Sequence, residues 1–182
     1  STEIKGQIPV KNRFLDNGIQ VTRYDQELPR YGLKEEEIQD ACQETLEIVK
    51  RTGPADVVIF SDYNKGFFSS DINWLDELKD TKTIVDPKTS NLDQWKNCFI
   101  FKPNAKEAYD LSGLKDWKDQ TDFFKSKLNC EAVIITRSGK DVVGKWGDKY
   151  FEYIPDKHVS VRSSVGAGDC FIAFLSVAVG LG

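Results

Sequence analysis

The sequence predicts an α/β protein with an open, mainly parallel β-sheet flanked by helices, preceded by a small β-rich lid. Two observations predict this class. Short apolar runs alternate along the chain with segments of helical periodicity, which is the order expected of repeated strand–helix–strand units. Two of these runs, residues 56–61 and 132–136, are almost purely apolar, as in strands that are covered on both faces. At 182 residues, the chain is long enough to bury a hydrophobic core.

The predicted lid occupies residues 1–30, where strands over residues 10–15 and 19–24 flank Asp16-Asn17-Gly18. Asn-Gly is a strong hairpin signal because both turn positions tolerate a positive φ angle. We therefore expect an antiparallel hairpin here, either as a separate lid or as an edge sheet.

The predicted core occupies residues 31–182 and begins with a helix over residues 33–51. In that helix apolar residues recur at spacings of three and four, and acidic residues stand in the first turn. The final helix opens at Gly166-Ala167-Gly168. Between them we predict strands over residues 56–61, 83–86, 98–101 and 132–136, helices over residues 69–79, 104–111 and 121–128, and a hairpin of residues 141–146 and 149–154.

Composition and charge exclude several classes of function. The formal net charge of −4 disfavours a general nucleic-acid binder. The longest apolar stretch, residues 170–179, is too short to span a bilayer, and the N-terminus lacks a secretory signal pattern. We therefore expect neither nucleic-acid nor membrane partners. The scattered cysteines favour buried reduced thiols in a cytoplasmic protein over disulfides or a zinc site; they are Cys42, Cys98, Cys130 and Cys170.

The segment from Gly166 to Asp169 is the most informative for chemistry. Small residues at a helix start let a ligand approach the backbone, and the unpaired N–H groups there bind anions such as phosphate. Beside a bound phosphate, Asp169 could accept the proton of an attacking hydroxyl group. The residues alone equally allow a plain helix N-terminus, with small residues for packing and Asp169 as a partner of the helix dipole.

Polar residues also follow four of the predicted strands. Asp62 suits a substrate hydroxyl and Lys65 a phosphate, although both residue types are common in ordinary turns. Asn104 and Glu107 could orient water around Mg²⁺, but the same pair fits a helix capping box. The four groups are Asp62 with Lys65, Asp86 with Lys88, Asn104 with Glu107, and Thr136 with Arg137, Ser138 and Gly139.

Because the carboxyl ends of parallel strands meet at one edge of a sheet, these four groups should converge with the segment from Gly166 to Asp169. The sequence therefore predicts a single active site that handles phosphates.

Taken in order, five segments resemble the PfkB/ribokinase family of carbohydrate kinases. The resemblance implies a ribokinase-like α/β fold with a small β lid. It also implies ATP-dependent transfer of a phosphoryl group to a sugar hydroxyl. The segments are SDYNKG at 61–66, VDPK at 85–88, KPNAKE at 102–107, TRSGKD at 136–141 and GAGDCF at 166–171.

The resemblance also assigns roles to residues. It implies that Asp169 is the catalytic base and that the backbone of Gly166, Ala167 and Gly168 forms an anion hole for the transferring group. The sugar-binding residues are then Asp62, Lys65 and Lys88. The residues implied to bind ATP are Asn104 and Glu107, which also hold Mg²⁺ through water, and Thr136, Arg137, Ser138 and Gly139.

The predicted hairpin carries the pattern K-x-R-x₆-Q-x₂-R-x-D, which resembles members of the family that act on heptose 7-phosphate. The matching residues are Lys11, Arg13, Gln20, Arg23 and Asp25. The likeness implies that Lys11, Arg13 and Arg23 bind an anionic sugar phosphate, since Arg presents a fork that matches phosphate. It also implies a homodimer formed through the lid sheet.

The sequence has no Met, even at position 1, and nothing in it corresponds to the N-terminal third of the family domain. We therefore expect a piece of a longer kinase, incomplete at both ends and inactive or poorly active alone. Two alternatives stay open: a kinase of ribose, fructose or fructose 1-phosphate, and a non-catalytic binding module that retains the fold.

Overall fold

The computed structural model of the chain describes residues 10–26, 33–69, 72–88, 91–137, 141–155 and 166–182. The chain separates into two compact units, Ser1–Gly53 with Asn64–Ile72 and Pro54–Tyr63 with Asn73–Gly182. The first unit contains the hairpin and the first long helix, and the second contains the main sheet. The lid boundary at residue 30 stays a prediction.

The first unit begins with the predicted hairpin. Strands β1 (Val10–Asp16) and β2 (Ile19–Gln26) pair in antiparallel orientation, and the turn residues Asn17 and Gly18 have φ angles of 49° and 78°. Both angles lie in the left-handed region that Asn and Gly tolerate best. The hairpin prediction is confirmed.

Helix α1 (Glu35–Arg51) lies close to its predicted range. Acidic residues in its first turn and basic residues in its last turn complement the helix dipole. Ile38, Cys42 and Leu46 are buried at intervals of four residues, as expected of one helix face. Within the same unit, the Cys42 thiol donates a hydrogen bond to the carbonyl oxygen of Phe67 at 2.9 Å.

The second unit is built on a six-stranded sheet whose strands follow one another in chain order. The first four strands are parallel, and the last two form an antiparallel extension. This confirms the prediction of an open, mainly parallel α/β sheet. The strands are β3 (Val57–Ser61), β4 (Lys82–Asp86), β5 (Ile100–Phe101), β6 (Ala132–Arg137), β7 (Asp141–Trp146) and β8 (Lys149–Tyr153).

Both faces of the central strands are covered, which explains their apolar composition. On one face, a row formed by Ile84, Ile100 and Ala132 packs in a core cluster with buried residues of helix α5 (Ala167–Leu181). The next row, formed by Val85, Phe101 and Val133, faces the opposite side because side chains alternate along a strand. On that side the Phe101 ring lies 5.0 Å from the ring of Phe124 in helix α4 (Trp117–Leu128).

The helix predicted over residues 69–79 is wrong in length. Within the described residues, a 3₁₀ turn at Phe67–Ser69 belongs to the first unit, and helix α2 in the second unit covers only Trp74–Glu77. The side chain of Asn73 donates a hydrogen bond to Asp76 next to the helix start. Short polar side chains of this kind compete for hydrogen bonds in helix interiors and favour helix ends.

Helix α4 begins four residues before its predicted start at residue 121, that is at Trp117. The carboxylate of Asp116 accepts hydrogen bonds from the backbone N–H groups of Lys118 and Asp119 at 2.8 and 3.3 Å. This N-cap satisfies donors that the helix itself leaves unpaired. Asp116 is therefore the start signal that the periodicity of the segment does not reveal.

None of the four cysteines forms a disulfide bond, and three of them are buried as predicted. Cys170 is the exception, because it lies on an exposed part of helix α5. A hydrogen bond with Cys130, together with burial, raises the pKa of the Cys98 thiol, so this thiol stays protonated. No helix within the described parts of the chain combines the length and hydropathy needed to cross a lipid bilayer.

Gly144 in β7 lies in close contact with the backbone of a neighbouring strand and with a side chain. It pairs with Ile134 on one side and with Phe151 on the other. A Cβ atom at this position would lie 2.6 Å from Cζ of Phe151 and would also meet the carbonyl oxygen of Val133. The Phe151 ring therefore occupies the space that any other residue at position 144 would need.

We expect Gly144→Ala to lower the free energy of unfolding by about 1–3 kcal/mol, because the added methyl group overpacks the sheet. Gly180→Ala is the matched control. Its Cβ atom would meet Asp56 and Val57 at ordinary distances of 3.6 and 3.7 Å, and Ala suits a helix better than Gly. Urea unfolding measures both variants, and an unchanged midpoint for Gly144→Ala would contradict the packing described above.

Candidate active site

The carboxyl ends of β3, β4, β5 and β6 and the N-terminus of α5 line one cavity of about 890 Å³ within the second unit. The predicted convergence of strand ends is therefore observed, while the roles of the individual residues stay predictions. The predicted residues that line the cavity are Asp62, Asp86, Lys88, Asn104, Glu107, Thr136, Arg137, Gly166, Ala167, Gly168 and Asp169.

Ser138 and Gly139 lie outside the described residues. Lys65 belongs to the first unit, as do the three basic residues of the hairpin, Lys11, Arg13 and Arg23.

Helix α5 points its N-terminus at the cavity. Gly166, the N-cap residue, has a φ angle of 79°, in the left-handed region that glycine adopts without strain. The first helical hydrogen bond runs from the N–H of Cys170 to the carbonyl oxygen of Gly166 at 2.9 Å. The preceding N–H groups of Ala167 and Gly168 have no acceptor within a helix, and the helix dipole adds positive potential there. This turn is suited to bind an anion.

Asp169 lies in the first turn of the same helix, is exposed and lines the cavity. The hydroxyl group of Tyr63, the second residue after β3, donates a hydrogen bond to its Oδ1 at 3.4 Å. An exposed carboxylate beside an anion-binding backbone can take a proton from a hydroxyl group that approaches a phosphate.

Asn104 and Glu107 form the capping box at the start of helix α3 (Ala105–Ser112). Asn104 Oδ1 accepts from the Glu107 N–H, and Glu107 Oε2 accepts from the Asn104 N–H, both at 2.9 Å. The second oxygen of the carboxylate, Oε1, lies 3.9 Å from the ammonium group of Lys88. The capping box expected for this pair is thus confirmed. The remaining carboxylate oxygen of Glu107 faces the Lys88 ammonium group at the cavity wall.

A buried ion pair joins the ends of β4 and β5. The ammonium group of Lys102 lies 3.0 Å from Oδ1 of Asp86, and the Lys102 side chain is only 2% exposed. The backbone brings the two residues together, because the Lys102 N–H donates to the carbonyl oxygen of Val85 at 2.8 Å. Asp62 is tied to the same strand through its N–H, which donates to the carbonyl oxygen of Asp86 at 3.0 Å.

Arg137 at the end of β6 is held by two carboxylates. Its Nε donates to Asp141 Oδ1 at 2.6 Å, and its guanidinium group donates to Glu152 Oε1 at 3.0 Å. The hydrogen bond with Asp141 and the nearby negative charges raise the pKa of Arg137 above its ordinary value. Its neighbour Thr136 donates its N–H to the carbonyl oxygen of Pro103 at 3.2 Å, which brings the end of β6 to the start of α3.

Sequence reasoning assigned no role to several cavity residues. Tyr63 and Lys102 stand inside the motifs quoted above, and their places directly after strands β3 and β5 were the available signal. Tyr153 and Phe171 also line the cavity, on β8 and α5. Phe171 stands in the quoted GAGDCF segment, which was its available signal. No signal in the sequence singles out Tyr153, because the return of β8 toward the site is a tertiary feature.

Solved structures define the class of fold. Phosphofructokinase-2 from Escherichia coli in complex with fructose-6-phosphate matches with a TM-score of 0.65 and 18% identity, over 87% of this chain and 54% of that protein. Arabidopsis thaliana ribokinase complexed with ribose and ATP matches with a TM-score of 0.59 and 20% identity, over 76% of this chain and 46% of that protein. The fold is therefore ribokinase-like, as the resemblance of the motifs implied.

The sequence comparison then defines the family. The match to "pfkB family carbohydrate kinase" extends over residues 24–179, and the chain belongs to this family. The bifunctional protein HldE of Nitrobacter winogradskyi is 30% identical over 138 residues. That alignment covers 70% of this chain and 28% of the relative, so the matched part is less than a third of that protein's length.

The capping box allows the structural and chemical roles of its two residues to be separated. We expect Asn104→Ala to lower the free energy of unfolding by about 1 kcal/mol, because the N–H of Glu107 loses its acceptor. Glu107→Gln keeps an acceptor for the Asn104 N–H, as capping boxes accept Glu or Gln, so we expect a change below about 0.5 kcal/mol. Urea unfolding compares the two variants. Equal destabilisation by both would mean that the charge of Glu107 supports the fold.

Proposed function

We propose that the chain is part of an ATP-dependent kinase that transfers the γ-phosphoryl group to a hydroxyl group of a sugar phosphate. The observation that carries this proposal is the position of Asp169 in the first turn of α5, next to the N–H groups that follow Gly166. A base beside an anion-binding backbone is the arrangement that phosphoryl transfer to an alcohol requires.

In the proposed reaction, the acceptor hydroxyl group gives its proton to Asp169 while its oxygen bonds to the γ-phosphorus atom. The bond between that phosphorus and the β–γ bridging oxygen breaks, and ADP leaves with the bond electrons. The N–H groups of Ala167 and Gly168 stabilise the negative charge on the transferring group. The cavity volume of about 890 Å³ lies in the range of small-molecule sites.

The residues at the start of α3 fit a role for Mg²⁺, which when bound neutralises phosphate charge. Glu107 keeps Oε1 outside the capping box, and the Asn104 amide oxygen has a second lone pair. These two groups would hold the ion through water. Among the described residues there is no cluster of three His, Cys, Asp or Glu for a metal, and Mg²⁺ bound mainly by water and phosphate needs none.

The hairpin supports a phosphorylated sugar as the substrate. Arg13 and Arg23 are direct cross-strand neighbours, and Lys11 lies opposite Asp25 on the same face. Like charges directly opposite each other destabilise a strand pair. Asp25 accepts hydrogen bonds from Arg23, and a phosphate bound beside Arg13 would balance the other guanidinium group. Because the whole pattern resembles the heptose 7-phosphate kinases of the family, we propose heptose 7-phosphate as the substrate.

The opposite face of the hairpin supports a homodimer. Val10, Phe14 and Tyr24 are exposed there, with Asn12 between the first two. An isolated two-stranded hairpin is marginally stable in water, so an apolar face of this kind needs a cover. We propose that the hairpin of a second copy supplies it.

We also propose a cytoplasmic location. None of the four cysteines is joined in a disulfide bond, which is typical of proteins in a reducing compartment.

In the protein that contains this chain, we expect Asp169→Asn to reduce turnover of a sugar phosphate with Mg-ATP by about 100- to 10,000-fold, the usual contribution of a general base. An amide cannot accept the proton but keeps the size of the side chain. A coupled assay of ADP release measures the effect. The control is Asp148→Asn, in the exposed β7–β8 turn, and unchanged turnover in Asp169→Asn would refute the assigned base.

We expect Arg13→Ala to raise KM for the sugar phosphate by about 10- to 100-fold, the worth of a hydrogen bond between charged groups. KM for ATP should stay unchanged. Lys149→Ala, which removes an exposed basic side chain of β8 that does not line the cavity, serves as the control. Steady-state kinetics with phosphorylated and unphosphorylated ribose, fructose and heptose measure the preference. A preference for phosphorylated sugars that survives Arg13→Ala would contradict the role of the hairpin.

A further inference from the structure

We propose that Lys102 is the fixed cation of this site and that its ammonium group donates hydrogen bonds to the phosphoryl group being transferred, with Asp86 holding it in place. This inference rests on the proposed kinase function and adds to it a residue with a defined ligand group. It follows from the burial of Lys102, from the partners of the other basic residues at the cavity and from the charge of the cavity wall.

Four basic side chains line the cavity within the described part of the chain, and two of them are unsuited to fix an anion there. The guanidinium group of Arg137 donates to Asp141 and Glu152, so two carboxylates neutralise its charge. The side chain of Lys106 is 83% exposed and pairs with Asp110 one helical turn away. Neither is available as a fixed positive charge inside the cavity.

The other two basic residues differ in how firmly they are held. The side chain of Lys88 is 57% exposed and lies 3.9 Å from Glu107 Oε1. The side chain of Lys102 is 2% exposed and lies 3.0 Å from Asp86 Oδ1. An exposed lysine loses rotamer entropy when a ligand fixes it, whereas Lys102 has already lost it on folding. Lys102 is therefore the preorganised cation of the four.

An ammonium group has three hydrogens to donate. Among the described residues, Asp86 is the one hydrogen-bonding or ionic partner of the Lys102 side chain. Burial of a cation is costly unless its donors are satisfied. Lys102 therefore keeps donor capacity for a ligand in the cavity that it lines. A phosphoryl group, which carries several acceptor oxygens and negative charge, satisfies that capacity best.

The charge of the cavity wall explains why such a cation is needed there. Asp62, Asp86 and Asp169 all line the cavity, and three carboxylates would repel a phosphoryl group. The N-terminus of α5 offers only partial positive charge. The buried ammonium group between β4 and β5 balances the charge of Asp86 and adds fixed hydrogen-bond donors to the wall, without the need for reorganisation during the reaction. A purely structural pair would join the two strands and make no difference to ligand binding.

The double variant Asp86→Asn/Lys102→Met separates these two roles. It removes both charges together, so no buried charge is left without its partner, which is the usual cause of instability in single variants. Calorimetry in the presence of Mg²⁺ then measures the affinity for AMP-PNP, an ATP analogue with a γ-phosphoryl group, and for ADP, which lacks it. The matched control is Asp93→Asn/Lys127→Met, a pair that is 3.1 Å apart and does not line the cavity.

We expect the double variant to bind AMP-PNP about 10- to 100-fold more weakly than the wild type, the worth of a hydrogen bond between charged groups. Its affinity for ADP should change by less than about threefold, and the control pair should leave both affinities unchanged. Unchanged AMP-PNP binding in the double variant would overturn the inference. Equal losses for AMP-PNP and ADP would overturn it as well, since Lys102 would then not act at the transferred group.

A second variant keeps the test valid if the double variant does not fold. Lys102→Gln retains a donor for Asp86 but loses the charge, and we expect the same selective loss of AMP-PNP affinity. The kinase proposal is tested by the wild type in the same titration. If the wild type bound neither nucleotide, that result would count against the proposed function itself. If the wild type bound both nucleotides and the Lys102 variants bound them equally well, only this inference would be overturned.

Discussion

The position of the candidate site depends on the burial of β4, β5 and β6 on both faces. Strands covered on both sides cannot shift register without moving apolar side chains away from their neighbours. The in-register rows of Ile84 with Ile100 and of Val85 with Phe101 show this constraint. Parallel strands in register end at one edge, and the polar residues that follow them are brought together there. The cavity is thus a consequence of how the core packs.

The site contains both positive and negative side chains, and the fold gives individual charged groups their own partners. Arg137 is matched by two carboxylates on the antiparallel extension, and Glu107 is shared between a helix cap and Lys88. The N-terminus of α5 adds backbone N–H donors that are suited to a negative ligand. Backbone N–H donors cannot be lost by deprotonation or by side-chain rotation near neutral pH, which suits the proposed transfer of a phosphoryl group.

Where local signals decide the structure, the sequence predictions were accurate. The Asn17-Gly18 turn and the capping box of Asn104 and Glu107 follow from hydrogen bonds between residues close in sequence, and both were predicted. The segment around α2 was predicted as one longer helix because its apolar spacing outweighed the competing Asn73 side chain. The cap of α4 was missed for a similar reason, since Asp116 precedes a segment of weak periodicity.

The sequence by itself determined the class of fold, the hairpin and the set of strand-end residues that meet in the cavity, because each depends on local periodicity or on short motifs. Only the tertiary structure decided that Lys102 is buried against Asp86, that Arg137 is held by Glu152 and that Tyr63 reaches Asp169. These contacts join residues on different strands and helices. Their geometry depends on strand register and helix packing, which involve the whole core and are not encoded in any single segment.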